Sequence, residues 1–329
     1  MATTKIREAA EKIRGADYLL IMTGAGFSAD SGLPVYMDIA NVDAYNKMGL
    51  EYHDLCDPCW IRDDLPVFYG FWGDCFNMYR DTTPHAGYAI LQRWKARVVA
   101  KAMDQPSSDN HGNDESTPDP FFSFTSNVDA HFLKFFTPNE VYEIHGNTEN
   151  WQCADESCSR RIWTLPPPFR FNIDLNTMRA VDTDAAQGLT CSVCAGPARP
   201  NVLMFNDNNW IPNRQDERRY NAWIGHVQEA LCKDKTKRLV VLEIGCGTRV
   251  PSVRIQSEHV LLKMIKRTIH TLADTGEFQA HLIRVNPVME PDTYKWKDID
   301  DHVPPMTKIQ GFGLATLQAI DQELGSVEL

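Results

Sequence analysis

The sequence has no apolar run long enough to cross a bilayer. Its longest early apolar stretch, Tyr18 to Met22, falls far short of the ~20 residues that a spanning helix needs. It also lacks a positive balance. Its 33 Lys and Arg stand against 44 Asp and Glu, a formal net charge of -11. Binding along a nucleic-acid backbone needs clustered Lys and Arg, so neither nucleic acid nor a membrane is expected as a partner. An acidic chain can still hold a small anionic cofactor where backbone N–H groups converge. The opening residues Met1-Ala2-Thr3-Thr4-Lys5-Ile6-Arg7-Glu8 carry no apolar core, so no signal peptide is expected. Without one, the nine cysteines read as thiols or metal ligands before disulfides. A cytoplasmic setting is the expectation, with the nucleus as the alternative. None of these features encodes an oligomeric state.

What is present reads as globular: 43% apolar and 23% charged residues over 329 positions, enough for one large domain or two ordinary ones. Ile6, Ala9, Ala10 and Ile13 repeat at helical spacing, which predicts an amphipathic helix over 5–14. Tyr18–Met22, Phe121–Thr125, Val141–Ile144, Leu239–Ile244 and His281–Val285 read as strands, the longer apolar ones buried on both faces as in parallel sheets. Helical patterns cover 84–100, 216–232, 251–274 and 312–324. The alternation predicts an α/β fold, a Rossmann-like parallel sheet with helices on both faces. Two segments interrupt it. Residues 36–80 are rich in aromatics and carry no strand pattern, which predicts a helical insertion or cofactor loop. Residues 146–200 carry four cysteines and several prolines, which predicts a small separate module. The expected division is therefore a nucleotide-binding domain over 1–145 and 201–329, with the module between. Asp104–Pro120 is polar and reads as a surface loop.

Several motifs fall at strand ends, where such sheets bind ligands. Gly24-Ala25-Gly26-Phe27-Ser28-Ala29 follows the first strand as a Gly-x-Gly-x-x-Ala turn. Glycine there permits a sharp turn and lets phosphate oxygens approach the N–H groups. Ser28, Ser31, Gly32 and Pro34 continue it as a small-residue loop. Ser126, Asn127 and Asp129 follow the second strand, as ribose or amide contacts or as a helix N-cap. His145 follows the third, as a general base or a hydrogen-bonded structural histidine. Gly245-Cys246-Gly247 is a second glycine-rich turn, Asn286 ends another strand, and Gly311-Phe312-Gly313 precedes the last helix. Together these residues line the place where one extended ligand would lie.

Cys153 and Cys158 form C-x4-C, and Cys191 and Cys194 form C-x2-C. Four thiolates in two close pairs satisfy tetrahedral zinc, and a site of four soft ligands with no open position is structural. Cys56 and Cys59 lack a second pair nearby and read as ordinary thiols. Cys75 and Cys232 are expected in the core.

The order of these motifs resembles the sirtuin family, the NAD-dependent protein deacylases. Gly24 to Pro34 is similar to the family's cofactor loop G-A-G-x-S-x-x-S-G-I-P. Thr125-Ser126-Asn127-Val128-Asp129 resembles T-Q-N-I-D, and His145-Gly146 matches the catalytic H-G. Arg199 to Phe205 resembles R-P-x-V-V-x-F, Gly245 to Pro251 the G-T-S turn, and Asn286 the I-N strand end. The resemblance spans about residues 5–325. It implies NAD as cofactor and an acylated-lysine protein or peptide as partner. It further implies that Asn127 and Asp129 hold nicotinamide and its ribose, that His145 is the general base, and that the cofactor touches Gly24, Ala25, Gly26, Ser28, Pro34, Tyr36, Ser126, Gly245, Cys246, Gly247, Asn286, Gly311 and Phe312. Val202, Leu203 and Phe205 would meet the acyl-lysine. In the implied reaction the acyl oxygen attacks the ribose C1′, nicotinamide leaves, and the products are free lysine and O-acyl-ADP-ribose.

The sequence departs from the family around that centre. Val35-Tyr36-Met37 replaces D-F-R, Ser126 replaces glutamine, and Cys246-Gly247 replaces the hydroxyls of G-T-S. Asn206-Asp207 stands where the family has glycine and glutamate. The Tyr-x-x-Arg pair of enzymes that remove acidic acyl groups is incomplete, because Asn77 stands three before Arg80. Besides deacylation, the chain is therefore expected to fit NAD hydrolysis or ADP-ribose transfer, or NAD sensing without catalysis.

Overall fold

The computed structural model describes residues 2–104, 119–181, 188–296 and 303–325; the side chains of Ala2, Tyr36 and Met37 lie outside that description. Most of the expected surface loop over 104–120 falls outside the described residues. Among the described residues, no helix is long and apolar enough to cross a membrane.

Six parallel strands form the main sheet: β1 (Tyr18–Thr23), β2 (Phe121–Thr125), β3 (Val141–Glu143), β9 (Leu239–Ile244), β10 (Ala280–Asn286) and β11 (Met306–Gln310). Their spatial order is β11-β10-β9-β1-β2-β3. The order runs outward in both directions from β1 and β9, which pair from Tyr18↔Leu239 to Thr23↔Ile244. That pair is the topological switch point, and the carboxyl ends of its strands define the ligand crevice. Continuous apolar runs in β1, β2 and β9 are buried throughout, apart from Tyr18, because helices cover both faces. Helices α1 (Ala2–Gly15), α8 (Gly87–Met103) and α11 (Gly313–Gly325) cover one face, in a core with Leu19, Ile21, Leu242 and Ile283. Helices α9 (Arg214–Lys233) and α10 (Ser252–Thr275) cover the other, against Leu20, Met22 and Val241.

The sheet has one strand more than the sequence suggests. β11 is an edge strand whose burial alternates, so its apolar signal is half that of its neighbours. Cys232 is exposed, a correction to its expected place in the core: it lies on the solvent side of α9, while Leu231 beside it is fully buried. Cys75 is buried as expected.

A third core lies outside the sheet. Residues 36–81 form five helices: α3 (Tyr36–Ile39), α4 (Asp43–Met48), α5 (Tyr52–Leu55), α6 (Trp60–Asp63) and the long α7 (Leu65–Asp81). The cysteine-bearing segment contributes antiparallel strands: β4 (Gly146–Cys153) between β5 (Ile162–Thr164) and β8 (Ala198–Val202), and the pair β6 (Ile173–Asp174) and β7 (Arg179–Ala180). Tyr69, Phe71, Trp72 and Phe76 of α7 share one apolar cluster with Trp151, Phe169, Phe171 and Ala198. A Cβ on Gly70 would stand 2.0 Å from the Met178 carbonyl, so glycine lets α7 seat directly on β7. The helical segment is thus packed onto the cysteine module as one lobe, and its aromatics are core.

Candidate functional site

The two glycine-rich turns meet at the switch point. Gly24 N–H donates to Ile244 O at 3.1 Å and Gly26 N–H to Gly245 O at 3.0 Å. The contact leaves no room for side chains. A Cβ on Gly26 would lie 2.7 Å from Gly245 Cα, and one on Gly245, whose φ is +67°, would lie 2.3 Å from Phe27 N. This is backbone packed on backbone, which only glycine allows. Helix α2 (Ala25–Ala29) starts there. Asp30 Oδ2 accepts from Leu314 N–H at 2.6 Å, which ties the end of α2 to the start of α11.

Ser28 on α2 reaches across to the loop after β2. Its Oγ donates to Asp129 Oδ2 at 2.5 Å and accepts from Asn127 Nδ2 at 2.8 Å. Asp129 Oδ1 accepts from His131 N–H at 2.8 Å. Asn127 N–H donates to Thr125 Oγ1 at 3.1 Å, so the loop is held from inside the sheet. Asn127 is 7% exposed, and its Oδ1 is buried with no hydrogen-bond partner. Buried acceptors are rarely left unpaired, and this one belongs to a cavity-lining residue.

His145 sits just beyond β3. Burial lowers its pKa, and a hydrogen bond to the Ser126 backbone raises it against that trend; the net direction is down, which favours the neutral imidazole at pH 7. Its carbonyl accepts from Leu203 N–H at 2.9 Å. The next residue must be glycine: Gly146 has φ +72°, and a Cβ would stand 1.9 Å from Asn201 O. Two residues before His145, burial pushes the Glu143 carboxyl up to about 8, opposed by a hydrogen bond from Asn147 Nδ2 at 2.5 Å.

One cavity of about 200 Å³ gathers Ala25, Ser28, Pro34, Ser126, Asn127, Asp129, His145, Val202, Leu203 and Phe205. The remaining expected contacts are not among its lining residues. Gly24, Gly26 and Gly245 pack against one another next to Ala25. Cys246 is buried, its Sγ 3.4 Å from Ile244 O, and Gly247 is exposed. Asn286 donates to its own loop at Val288 O. Gly311 N–H donates to Asn286 O, and Phe312 is 64% exposed. The Tyr36 side chain lies outside the described residues. Leu33, Val128, Met204 and Val250, which lie inside the quoted motifs, and Cys56, read as an ordinary thiol, also line the cavity. Ile39, Tyr52, Trp72 and Tyr79 line it too; the sequence did not single them out, because they come from the helical segment and no local pattern marks them.

The segment after β8 is held by a buried ion pair. Arg199 Nη1 donates to Asp207 Oδ1 at 2.9 Å, Nη2 bonds the other carboxylate oxygen and also donates to Val202 O at 2.9 Å, and both side chains are at most 1% exposed. Asn206 has φ +54°, a left-handed conformation that asparagine tolerates. It occupies the glycine position of the resembled pattern, and Asp207 keeps the acidic one.

The four cysteines converge. All Sγ atoms lie within 4.8 Å of one another, with Cys153–Cys194 at 3.5 Å and Cys158–Cys191 at 3.7 Å. Tetrahedral zinc with sulfur ligands needs roughly 3.8 Å between sulfurs. Backbone N–H groups of Asp155, Val193 and Gly196 donate to Cys153, Cys191 and Cys194, an arrangement that favours thiolates. The residues fit a structural zinc ion. Cys56 and Cys59 lie apart from this cluster.

No family model matches the chain. Its sequence is 26% identical over 202 residues to NAD-dependent protein deacylase 2 of Corynebacterium efficiens, covering 61% of this chain and 66% of that protein. It is 22% identical over 208 residues to an NAD-dependent protein deacylase of Thermus thermophilus, covering 62% and 64%. The chain thus aligns with just under two thirds of these relatives' lengths. Among solved structures, a Sir2 homologue in complex with NAD superposes with a TM-score of 0.59 at 14% identity, covering 98% of this chain and 94% of that one. A Sir2 homologue mutant with 2′-O-acetyl ADP-ribose gives 0.57 at 15%, covering 97% and 96%. These likenesses define the class: the fold is the Sir2 fold, a Rossmann-like sheet with a cysteine-bearing lobe. In sequence the chain is similar to these deacylases over about 60% of its length.

Proposed function

We propose that the chain is an NAD-dependent protein-lysine deacylase of the sirtuin type, releasing nicotinamide and O-acyl-ADP-ribose. The observation that carries this reading is the convergence of Ser28, Asn127, Asp129 and His145 on one cavity that also has apolar walls. A polar end for a charged cofactor and an apolar end for an acyl-lysine share one space.

The residues present fit NAD. The two glycine turns spend the N–H groups of Gly24, Gly26 and Phe27 on holding each other, and they set Ala25, at the start of α2, and Ser28 against the cavity at the switch point, where such sheets take a dinucleotide. Asn127 Oδ1 is an unpaired acceptor suited to a ribose hydroxyl or carboxamide N–H. Asp129, oriented by Ser28 and by His131 N–H, would offer its carboxyl oxygens to the nicotinamide ring, which is cationic in NAD and leaves as neutral nicotinamide. NAD supplies the electrophilic ribose carbon and that leaving group. His145, neutral because it is buried, accepts a proton from a ribose hydroxyl and directs its oxygen to the acyl carbon. Val202, Leu203 and Phe205 give the cavity an apolar wall in the same space as His145. The four cysteines would hold a structural zinc ion, which would brace the lobe carrying β8.

The reading is tested by incubating the protein with NAD, with and without an acetyl-lysine peptide, and resolving products by mass spectrometry. O-acetyl-ADP-ribose formed only with peptide supports it. Free ADP-ribose without peptide supports NAD hydrolysis instead, ADP-ribosylated protein supports transfer, and NAD binding without turnover supports a sensor.

A further inference from the structure

The geometry points to a substrate class: lysines carrying neutral, apolar acyl chains longer than acetyl. This rests on the deacylase reading. Three observations carry it.

The first is the wall of the cavity. Beyond the polar groups it is lined by Leu33, Ile39, Trp72, Tyr79, Val128 and Met204. The cavity as a whole is about 200 Å³ and is shared with the polar group that would meet NAD; the part left to the acyl chain is walled by these six apolar and aromatic side chains. Each methylene moved from water into such a wall multiplies affinity by about fourfold.

The second is charge. Among the described residues lining the cavity, His145 is the only one with a basic side chain, and its burial disfavours the charged form. Arg80 on α7 is taken elsewhere. Its Nε and Nη2 grip Glu149 at 2.8 and 2.6 Å, and Nη1 donates to the carbonyls of Pro166, Pro167 and Phe169. The bond to Glu149 and three carbonyls leaves it no capacity for a substrate carboxylate. An acidic acyl group would enter without a partner, which burial penalises heavily.

The third is rigidity. Phe205 N–H donates to Cys56 O at 3.0 Å, the Tyr52 ring meets Phe205 edge-on, and Trp72 and Cys56 are each 3% exposed. The helical segment therefore closes the apolar end as a built wall, ready to receive a chain without an ordering cost.

The test measures binding and turnover separately. Fluorescent peptides carrying acetyl-, octanoyl- or succinyl-lysine are titrated with the protein by anisotropy, without NAD. Octanoyl is expected to bind at least tenfold tighter than acetyl, and succinyl no better than unmodified lysine. Acetyl binding as tightly as octanoyl, or succinyl binding tightest, overturns the proposal. Cys56→Phe, which fills the cavity, is expected to bring octanoyl to within about threefold of acetyl. Ile39→Arg, on a half-buried wall position, is expected to raise succinyl affinity several-fold; unchanged preferences in both variants overturn the proposal. Octanoyl preference in binding with no nicotinamide released on adding NAD supports the apolar pocket and rejects the deacylase reading, so the two failures are distinct.

Discussion

The Ser28 hydroxyl donates to Asp129 at 2.5 Å, and that bond joins the glycine turn after β1 to the loop after β2. It forms because β1 and β2 are adjacent and in register from Leu19↔Phe121 to Thr23↔Thr125, so the segments leaving them emerge side by side. Asn127 completes the group through the same oxygen. Ser28→Ala removes a donor from Asp129 and an acceptor from Asn127 at once. An unsatisfied buried polar group costs about 1–3 kcal/mol, so kcat/KM for nicotinamide release is expected to fall roughly tenfold to a hundredfold. An unchanged value would show that the cluster does not bear on the reaction.

His145→Ala is expected to abolish deacylation while NAD affinity by calorimetry changes less than about threefold. The pH dependence carries a sign. Burial depresses the His145 pKa, so the neutral base persists below the usual histidine range near 6.5. Activity is expected to stay level at neutral pH and to fall only as acid passes the depressed value. An acidic limb centred above 6.5 would contradict the assignment.

The sheet and the polar cluster were largely legible in the sequence, because each motif is a short run at the end of a buried strand. Gly24 to Pro34 and Thr125 to Asp129 needed only their neighbours to be read. The apolar wall was not. Tyr52, Trp72 and Tyr79 meet Met204 and Phe205 only after the helical segment folds onto the cysteine module, and aromatics at helical spacing look like any core. Cys246 shows the reverse case. Its position at the turn suggested a cofactor contact, but its small apolar side chain packs inward against Met22 and Ile244.

Arg199→Ala leaves the Asp207 carboxylate buried and unpaired. Breaking a buried pair from one side costs about 3–5 kcal/mol, read as a lower midpoint in urea. The double variant Arg199→Met with Asp207→Leu is expected to recover much of that stability while losing acyl-peptide binding, because the segment 203–207 is no longer held by charge. Equal stability of Arg199→Ala and the unmodified protein would show the pair is not buried in solution.

Zinc is expected at about one ion per chain by elemental analysis, as four converging thiolates bind a single tetrahedral ion. Cys191→Ser is expected to lose it. Because α7 shares one core with β4 and β8, that loss is expected to loosen the apolar wall as well, seen as faster amide exchange in residues 65–81. Exchange confined to the cysteine segment would show that the lobe does not act as one unit.

The central claim is that NAD cleavage at this cavity is coupled to an acyl-lysine held beside it. The most direct measurement is the ratio of nicotinamide released to lysine uncovered, with acylated peptide present and absent. The account predicts a ratio of about one with peptide and negligible release without it. Nicotinamide release at a comparable rate without peptide would contradict it.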